Sequence, residues 1–266
     1  MKRSFLSYVK LYFMMISQDF KSKMQYRADF LVSTLAMLLI NISGLISFWL
    51  IFNSIPMIKG FSYNELLFMY GFSLIAFTPM QLFFDNLWQL WTYTENGDFI
   101  KYCFKPINIF FYYIAETFDA KGLGQLAFGL ITLVYAWAKL AIPVTFFNIA
   151  MLIFTLIGAG LVLIGIMTLA ASASFITLQG ASVMIFVNRF KDYAMYPTTI
   201  FNTLFKFIFT FIIPIGFIAF YPVLFFLRPS SHAILAFFSP LVGIILFYIA
   251  YKVWMLGAKR YSGTGS

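Results

Sequence analysis

A chain of 266 residues that is 62% hydrophobic and 10% charged, with a mean hydropathy of +0.89, has too few polar side chains to cover a water-facing surface. This excludes a soluble globular domain. The net charge of +9 raises nucleic acid as a partner, but charge asymmetry across a bilayer gives the same total, and one cysteine (Cys103) with one histidine (His232) excludes an internal disulfide and a structural zinc site.

Backbone polar groups in lipid must be satisfied within a helix or a closed barrel. Unbroken apolar runs such as Phe146 to Phe175 exclude the barrel and predict an all-α polytopic membrane protein. In chain order, residues 1–27 carry Phe5, Val9, Tyr12, Phe13, Ile16 and Phe20 at helical spacing, interrupted by Lys10, Asp19, Lys21 and Lys23. That pattern predicts an amphipathic helix lying in the membrane interface. A cleaved signal peptide is disfavoured because charge breaks the apolar stretch and no small-residue cleavage site follows.

Six spans are predicted at about 28–52, 64–92, 118–138, 146–176, 197–227 and 233–256. Residues 177–196, which end in Arg189, Lys191 and Asp192, are too short to span and read as an interfacial helix, with a re-entrant dip as the alternative. Residues 28–256 form one transmembrane domain, and 257–266 a tail whose SGTGS ending is flexible. With both termini in the cytoplasm, thirteen of the 18 basic residues, Lys191 among them, fall on the inside. The positive-inside rule therefore fixes the orientation and accounts for the net charge without nucleic acid.

Ionisable residues within spans are the first candidates for function. Gln81, Asp85 and Gln89 form a polar stripe at spacings of four, beside Trp88, and Asp85 falls near the cytoplasmic interface. The stripe faces a partner helix or headgroups, or it lines a pathway. Glu116, Asp119 and Lys121 cluster at the start of the third span, and Glu65 sits at an outer helix end. Nothing resembles the chain of buried carboxylates of a proton-coupled pump. There is no HExxH, no GxSxG, no paired histidines and no GxxxxGK[ST] loop, and His232 beside Ser230 and Ser231 lacks an orienting group. The chain is therefore read as neither an enzyme nor a site of ATP hydrolysis, with no cofactor and no metal of its own. Gly158, Gly160 and Gly165, with Ser43, Ser47, Ala170 and Ser174, let helices approach closely. Six helices make a thin bundle, so dimerisation is expected.

Between spans two and three lies NGDFIKYCFKP (96–106), where Asn96 can cap, Asp98 suits a first helical turn, and Phe99, Tyr102 and Cys103 share a face. With RFKDYAMYPTTIF (189–201), IIPIGFIAFYP (212–222) and KRYSGTG (259–265), this resembles the permeases of the ABC-2 family across essentially the whole chain. The resemblance implies a six-span ABC-2 architecture and an exporter permease subunit. It further implies that the loop at about 93–107 is a coupling helix docking onto a separate ATPase, which binds ATP and Mg. Gly97, Asp98, Lys105 and Pro106 match that coupling pattern, with Phe99 to Phe104, including Tyr102, as its apolar face; lysine at 105 stands where arginine is more usual. Tyr196 and Pro197 match the entry to the fifth span. Pro214 and Pro222 remove helix hydrogen bonds and bend its outer part, where related segments form gating elements. The family's pairing of unlike permeases favours a heterodimer. The expected substrate is a lipid, drug or hydrophobic peptide; the rivals are a lipid-acting membrane enzyme, an ion-coupled transporter and a non-catalytic scaffold.

Overall fold

The computed structural model describes residues 5–25, 27–177, 179–228 and 231–261, with only the backbone at 5, 27, 231 and 232. The side chain of His232 and residues 262–266 of the C-terminal tail therefore lie outside the described residues. Within them the chain is helical and forms no strand beyond one isolated bridge, Ile58 to Phe61.

Four segments are long and apolar enough to cross a membrane: Ala28–Ser54, Tyr63–Phe83, Phe146–Phe175 and Leu235–Arg260. They correspond to α2 (Arg27–Ser54), α3 (Tyr63–Phe83), α8 (Phe146–Ser172) with the 3₁₀ turn that follows it, and α12 (Leu235–Arg260). A fifth helix, α7 (Lys121–Lys139, 19 residues), packs along α3. At 1.5 Å per residue it is about 28 Å long, close to the thickness of a hydrocarbon core.

α3 starts sharply because Ser62 and Glu65 cap each other: the Ser62 N–H donates to Glu65 Oε2 at 2.7 Å, and the Glu65 N–H to Ser62 Oγ at 3.4 Å. It is the central helix, with Phe68, Met69, Phe72 and Leu74 almost fully buried. Small residues set its contact with α7. A Cβ on Gly71 would come 2.7 Å from the Leu133 backbone nitrogen, and one on Gly129 would meet Leu74 and Ile75. The α8–α12 pair is closer still. A Cβ on Gly158 would lie 2.4 Å from Pro240 N, and one on Gly243 would lie 2.6 Å from Gly158 O. Gly158→Leu is therefore expected to wedge these helices apart and cost about 3 kcal/mol, read as a lowered unfolding temperature in detergent. Gly160→Ala, whose Cβ would meet Pro79 at an ordinary 3.4 Å, is the tolerated control.

α1 (Phe5–Gln25) is pinned to the bundle by only part of the expected stripe, Tyr12, with Tyr8 beside it. Tyr8 and Tyr12 pack on Phe111, while Val9, Phe13 and Phe20 stay exposed. The charges that interrupt the apolar pattern act as the clamp. Lys23 Nζ donates to Phe118 O at 2.6 Å, Asp19 Oδ2 accepts the Phe118 N–H at 3.0 Å, and the two side chains pair at 2.8 Å.

The chain departs most from expectation in the second and fifth spans. α3 ends at Phe83, and the polypeptide continues as a 3₁₀ turn (Asp85–Gln89) and a short helix, α4 (Leu90–Glu95). The predicted continuous span 197–227 does not exist. The crossing between α8 and α12 is made in pieces: α9 (Gly180–Tyr193), a short α10 (Thr203–Phe207) running into a π turn to Ile212, and α11 (Phe220–Leu227). α9, expected to lie on the surface, supplies one half of the crossing. Gly180 abuts Ser174 at the end of α8, while Lys191 eleven residues later stands over the Phe77 ring of α3 at 5.2 Å. Phe209 packs back onto Phe190 and Tyr193, so the stretch between Pro197 and Ile212 folds against α9 instead of continuing it.

Proline explains the breaks. Pro214 offers no N–H to extend the helix before it, and the chain turns there into a 3₁₀ segment, Ile215–Phe217. Pro222 bends nothing. It occupies the first turn of α11, where amide protons have no intrahelical partner to lose.

Candidate functional site

Two features stand at the end of the bundle that carries α1, the 96–106 loop and the Lys259–Arg260 terminus of α12, here called the basic end. The first is the loop. Asn96 does not start a helix; it is the C-cap of α4. Gly97 follows with φ +81°, the left-handed position that stops a helix and that residues with a Cβ adopt at a cost. A single helical turn, α5 (Ile100–Cys103), then precedes Pro106 and α6 (Ile109–Ala115).

The face of this turn divides in a way the sequence pattern did not show. Phe99 has 0% of its surface exposed and lies among the rings of Tyr102, Tyr113, Phe175, Trp254 and Tyr261, at 5.0–6.0 Å between centroids. Tyr102 is equally buried, and its hydroxyl donates to the Glu116 carboxylate. Burial, then that carboxylate, pushes the phenol far above its usual range, so it remains a donor. Phe99 and Tyr102 thus belong to the core of the bundle and present no exposed face in this conformation. Exposed to water are Asp98, Lys105, Pro106 and the apolar pair Ile100 (40% exposed) and Phe104 (79%). Lys101 stands over the Tyr93 ring at 4.5 Å and lies 3.7 Å from Glu116.

The second feature is a polar cavity of about 130 Å³ bounded by α3, α7, α8 and α9, which receives Gln81, Asp85, Gln125, Asn188 and Lys191. Among these, Gln81 donates to the Asp119 carboxylate at 3.0 Å and Gln125 to Leu74 O at 3.0 Å. Asp85 and Lys191 have no hydrogen bond or ion pair among the described residues. The expected stripe is split by the end of α3. Gln81 and Asp85 face this cavity, whereas Gln89 joins Asp85 in a second, more open recess of about 370 Å³ with Lys23, Asp29, Asp119 and Lys121. Asp85 is common to both.

Asp85 lies beyond the last residue of α3, outside the spanning helices. Burial pushes its carboxyl up to about 6, the neighbouring Asp119 carboxylate adds to this, and Lys121 and Lys23 oppose it. A carboxyl whose folded pKa is raised is protonated in the folded state where the unfolded chain has already lost its proton. Stability therefore falls as pH rises from about 4 to about 6 and stays low above that. Asp85→Asn is expected to remove this fall, raising Tm by about 2–4 °C at pH 7.5 and leaving it unchanged at pH 4, as read from thermal unfolding across pH.

Sequence reasoning missed Lys191, Asn188 and Gln125. In the sequence Lys191 reads as a charge on the cytoplasmic side, and the available signal is the three-residue spacing of Asn188 and Lys191 on one face of α9. Tyr196 and Pro197 lie at the break after α9, with the half-buried Tyr196 ring 5.4 Å from that of Phe48 on α2. At the far end, Arg228 ties α11 to α3 through Glu65 at 3.2 Å and stacks over Phe61 at 4.1 Å. Among the described residues no group of His, Cys, Asp or Glu could hold a metal ion.

A helical bundle with spanning helices, a crossing broken at its middle and unpaired charges facing an internal polar cavity defines a membrane protein of the permease class. The family model of the ABC-2 family transporter proteins matches residues 38–265, and the chain belongs to that family. It is the membrane permease component of an ABC transporter, a family role that implies association with an ABC ATPase and suggests a non-catalytic subunit. No curated protein and no solved structure matches the chain.

Proposed function

We propose that this permease forms half of the pathway of an exporter in the cytoplasmic membrane, with its basic end in the cytoplasm and a separate ATPase docked on the 95–106 loop. The observation that carries this reading is Phe104, a phenylalanine 79% exposed at the aqueous end of the bundle, on a turn whose other aromatic residues anchor it to the core. An apolar ring on a rigid mount, flanked by Asp98 and Lys105, suits a protein partner. ATP and Mg bind on that partner. Its closure pushes the loop and, through Phe99 and the aromatic cluster, the ends of α8 and α12. Such a step requires ATP to bind one conformation better than the other.

The positive-inside rule supports the orientation, since basic residues gather at the loop end even after Lys191 is assigned to the interior. The bundle itself supports dimerisation: α2 turns Leu31, Val32, Leu35, Leu39, Ile46 and Leu50 outward, and a second permease, unlike this one, completes the pathway. The substrate is an amphiphile or other hydrophobic compound. Purification from native membranes in mild detergent tests the reading: a stoichiometric chain with a GxxxxGK[ST] loop is expected to accompany the permease, and recovery of the permease alone contradicts it. Replacing Asp98 and Lys105 together should uncouple transport from ATPase activity in sealed vesicles with folding preserved.

A further inference from the structure

The cavity at Asp85 and Lys191 carries more than a route. A charge withdrawn from water without a partner is costly, and here two half-buried charges of opposite sign line one space without pairing. The ammonium of Lys191 makes no ion pair among the described residues and stands over the face of Phe77 at 5.2 Å, a weak substitute for a paired carboxylate. The Asp85 carboxylate, on a different element, finds no donor. A direct pair is the simple way to satisfy both, and the fold does not make it. A bound group that brings an anion to Lys191 and a cation to Asp85 satisfies both.

We infer that this cavity binds the zwitterionic head of the transported compound, a primary ammonium joined by a short linker to a phosphate or carboxylate; the inference rests on the permease reading above. Size limits the choice. About 130 Å³ holds roughly four waters, enough for a two-carbon ammonium with its anion and too little for a polycyclic drug. Gln81, Gln125 and Asn188 supply neutral amides for the remaining head-group oxygens and protons. The approach has the same character. The recess that shares Asp85 presents Lys23 and Lys121 as well as Asp29 and Asp119, so with Lys191 and Asp85 the two spaces hold three charges of each sign. A single charge passing along them meets repulsion at some point, whereas a group carrying both signs can be matched throughout. The apolar remainder of an amphiphile finds Phe77, Met80, Leu163 and Met167 beside its head.

The test is equilibrium binding to the full-length permease in detergent micelles, with four probes: lysophosphatidylethanolamine, the anion-only lysophosphatidylglycerol, the cation-only dodecylamine, and free phosphoethanolamine. The zwitterionic lysolipid is expected to bind about 10-fold more tightly than either singly charged amphiphile. Asp85→Asn should abolish its advantage over lysophosphatidylglycerol, and Lys191→Met its advantage over dodecylamine. Equal binding of the three amphiphiles to the wild-type protein overturns the inference even if the variants do not fold, and so does a preference that survives both substitutions. Free phosphoethanolamine binding as tightly as the lysolipid supports the same site and assigns it to a water-soluble zwitterion; weaker binding assigns it to a lipid head. Loss of the charge preference while an ATPase still co-purifies overturns only the zwitterion site. Absence of the ATPase overturns the permease coupling instead.

Discussion

Replacing Ile100 and Phe104 together by aspartate is expected to weaken ATPase association by about 100-fold or more and to abolish transport, with the unfolding temperature close to wild type. The two side chains are 40% and 79% exposed, so the folded permease loses little when they change. An interface that buries them loses most of their apolar burial, about 2 kcal/mol for the phenylalanine alone, and must also desolvate two new carboxylates. Co-purification yield and stimulated ATPase activity measure the first effect, and vesicle transport the second. Wild-type association of the double variant places the ATPase elsewhere on the basic end.

Phe99→Ala, five residues earlier, is expected to act in the opposite way. The ring is fully buried, with Phe175, Tyr261, Tyr102, Trp254 and Tyr113 around it. Its removal leaves a cavity where the loop, α6, the end of α8 and α12 meet, at a cost of about 3–5 kcal/mol. The unfolding temperature should drop by about 10 °C, and transport should fall with the amount of folded protein. Thermal unfolding of the two variants side by side separates the roles: a Phe99→Ala protein as stable as wild type contradicts the assignment of Phe99 to the core. Under the proposed coupling, the exposed residue that would meet the partner and the buried residue that anchors to the spans are different, Phe104 and Phe99, at the two ends of one helical turn.

At the end away from the loop, Arg228 joins α11 to the capped start of α3 through Glu65 at 3.2 Å and the Phe61 ring at 4.1 Å. The pairs α3–α7 and α8–α12 are held by backbone proximity at Gly71, Gly129, Gly158 and Gly243, whereas the pieces between Gly180 and Leu227 have the least regular secondary structure among the described residues.

Composition alone determined that this chain lives in lipid and is helical, because an apolar run of about 20 residues without charges has one stable backbone solution there. For the same reason α2, α7, α8 and α12 lie close to where hydropathy placed them. The loop motif and its order along the chain pointed to the family to which the chain belongs. Three decisions belonged to the tertiary structure. Within a one-turn helix such as α5, spacing cannot say whether Phe99 or Phe104 faces inward, since the cluster that receives Phe99 is assembled from Tyr113, Phe175, Trp254 and Tyr261, distant in sequence. A 14-residue helix ending in charges reads as a surface helix until a broken crossing needs its apolar length, and so α9 and Lys191 went to the interior. The meeting of Lys191 with Asp85 in one cavity, across more than a hundred residues, is likewise set by how α3, α8 and α9 pack, because a charge's partners in a membrane are chosen by the helices beside it and not by its neighbours in the chain.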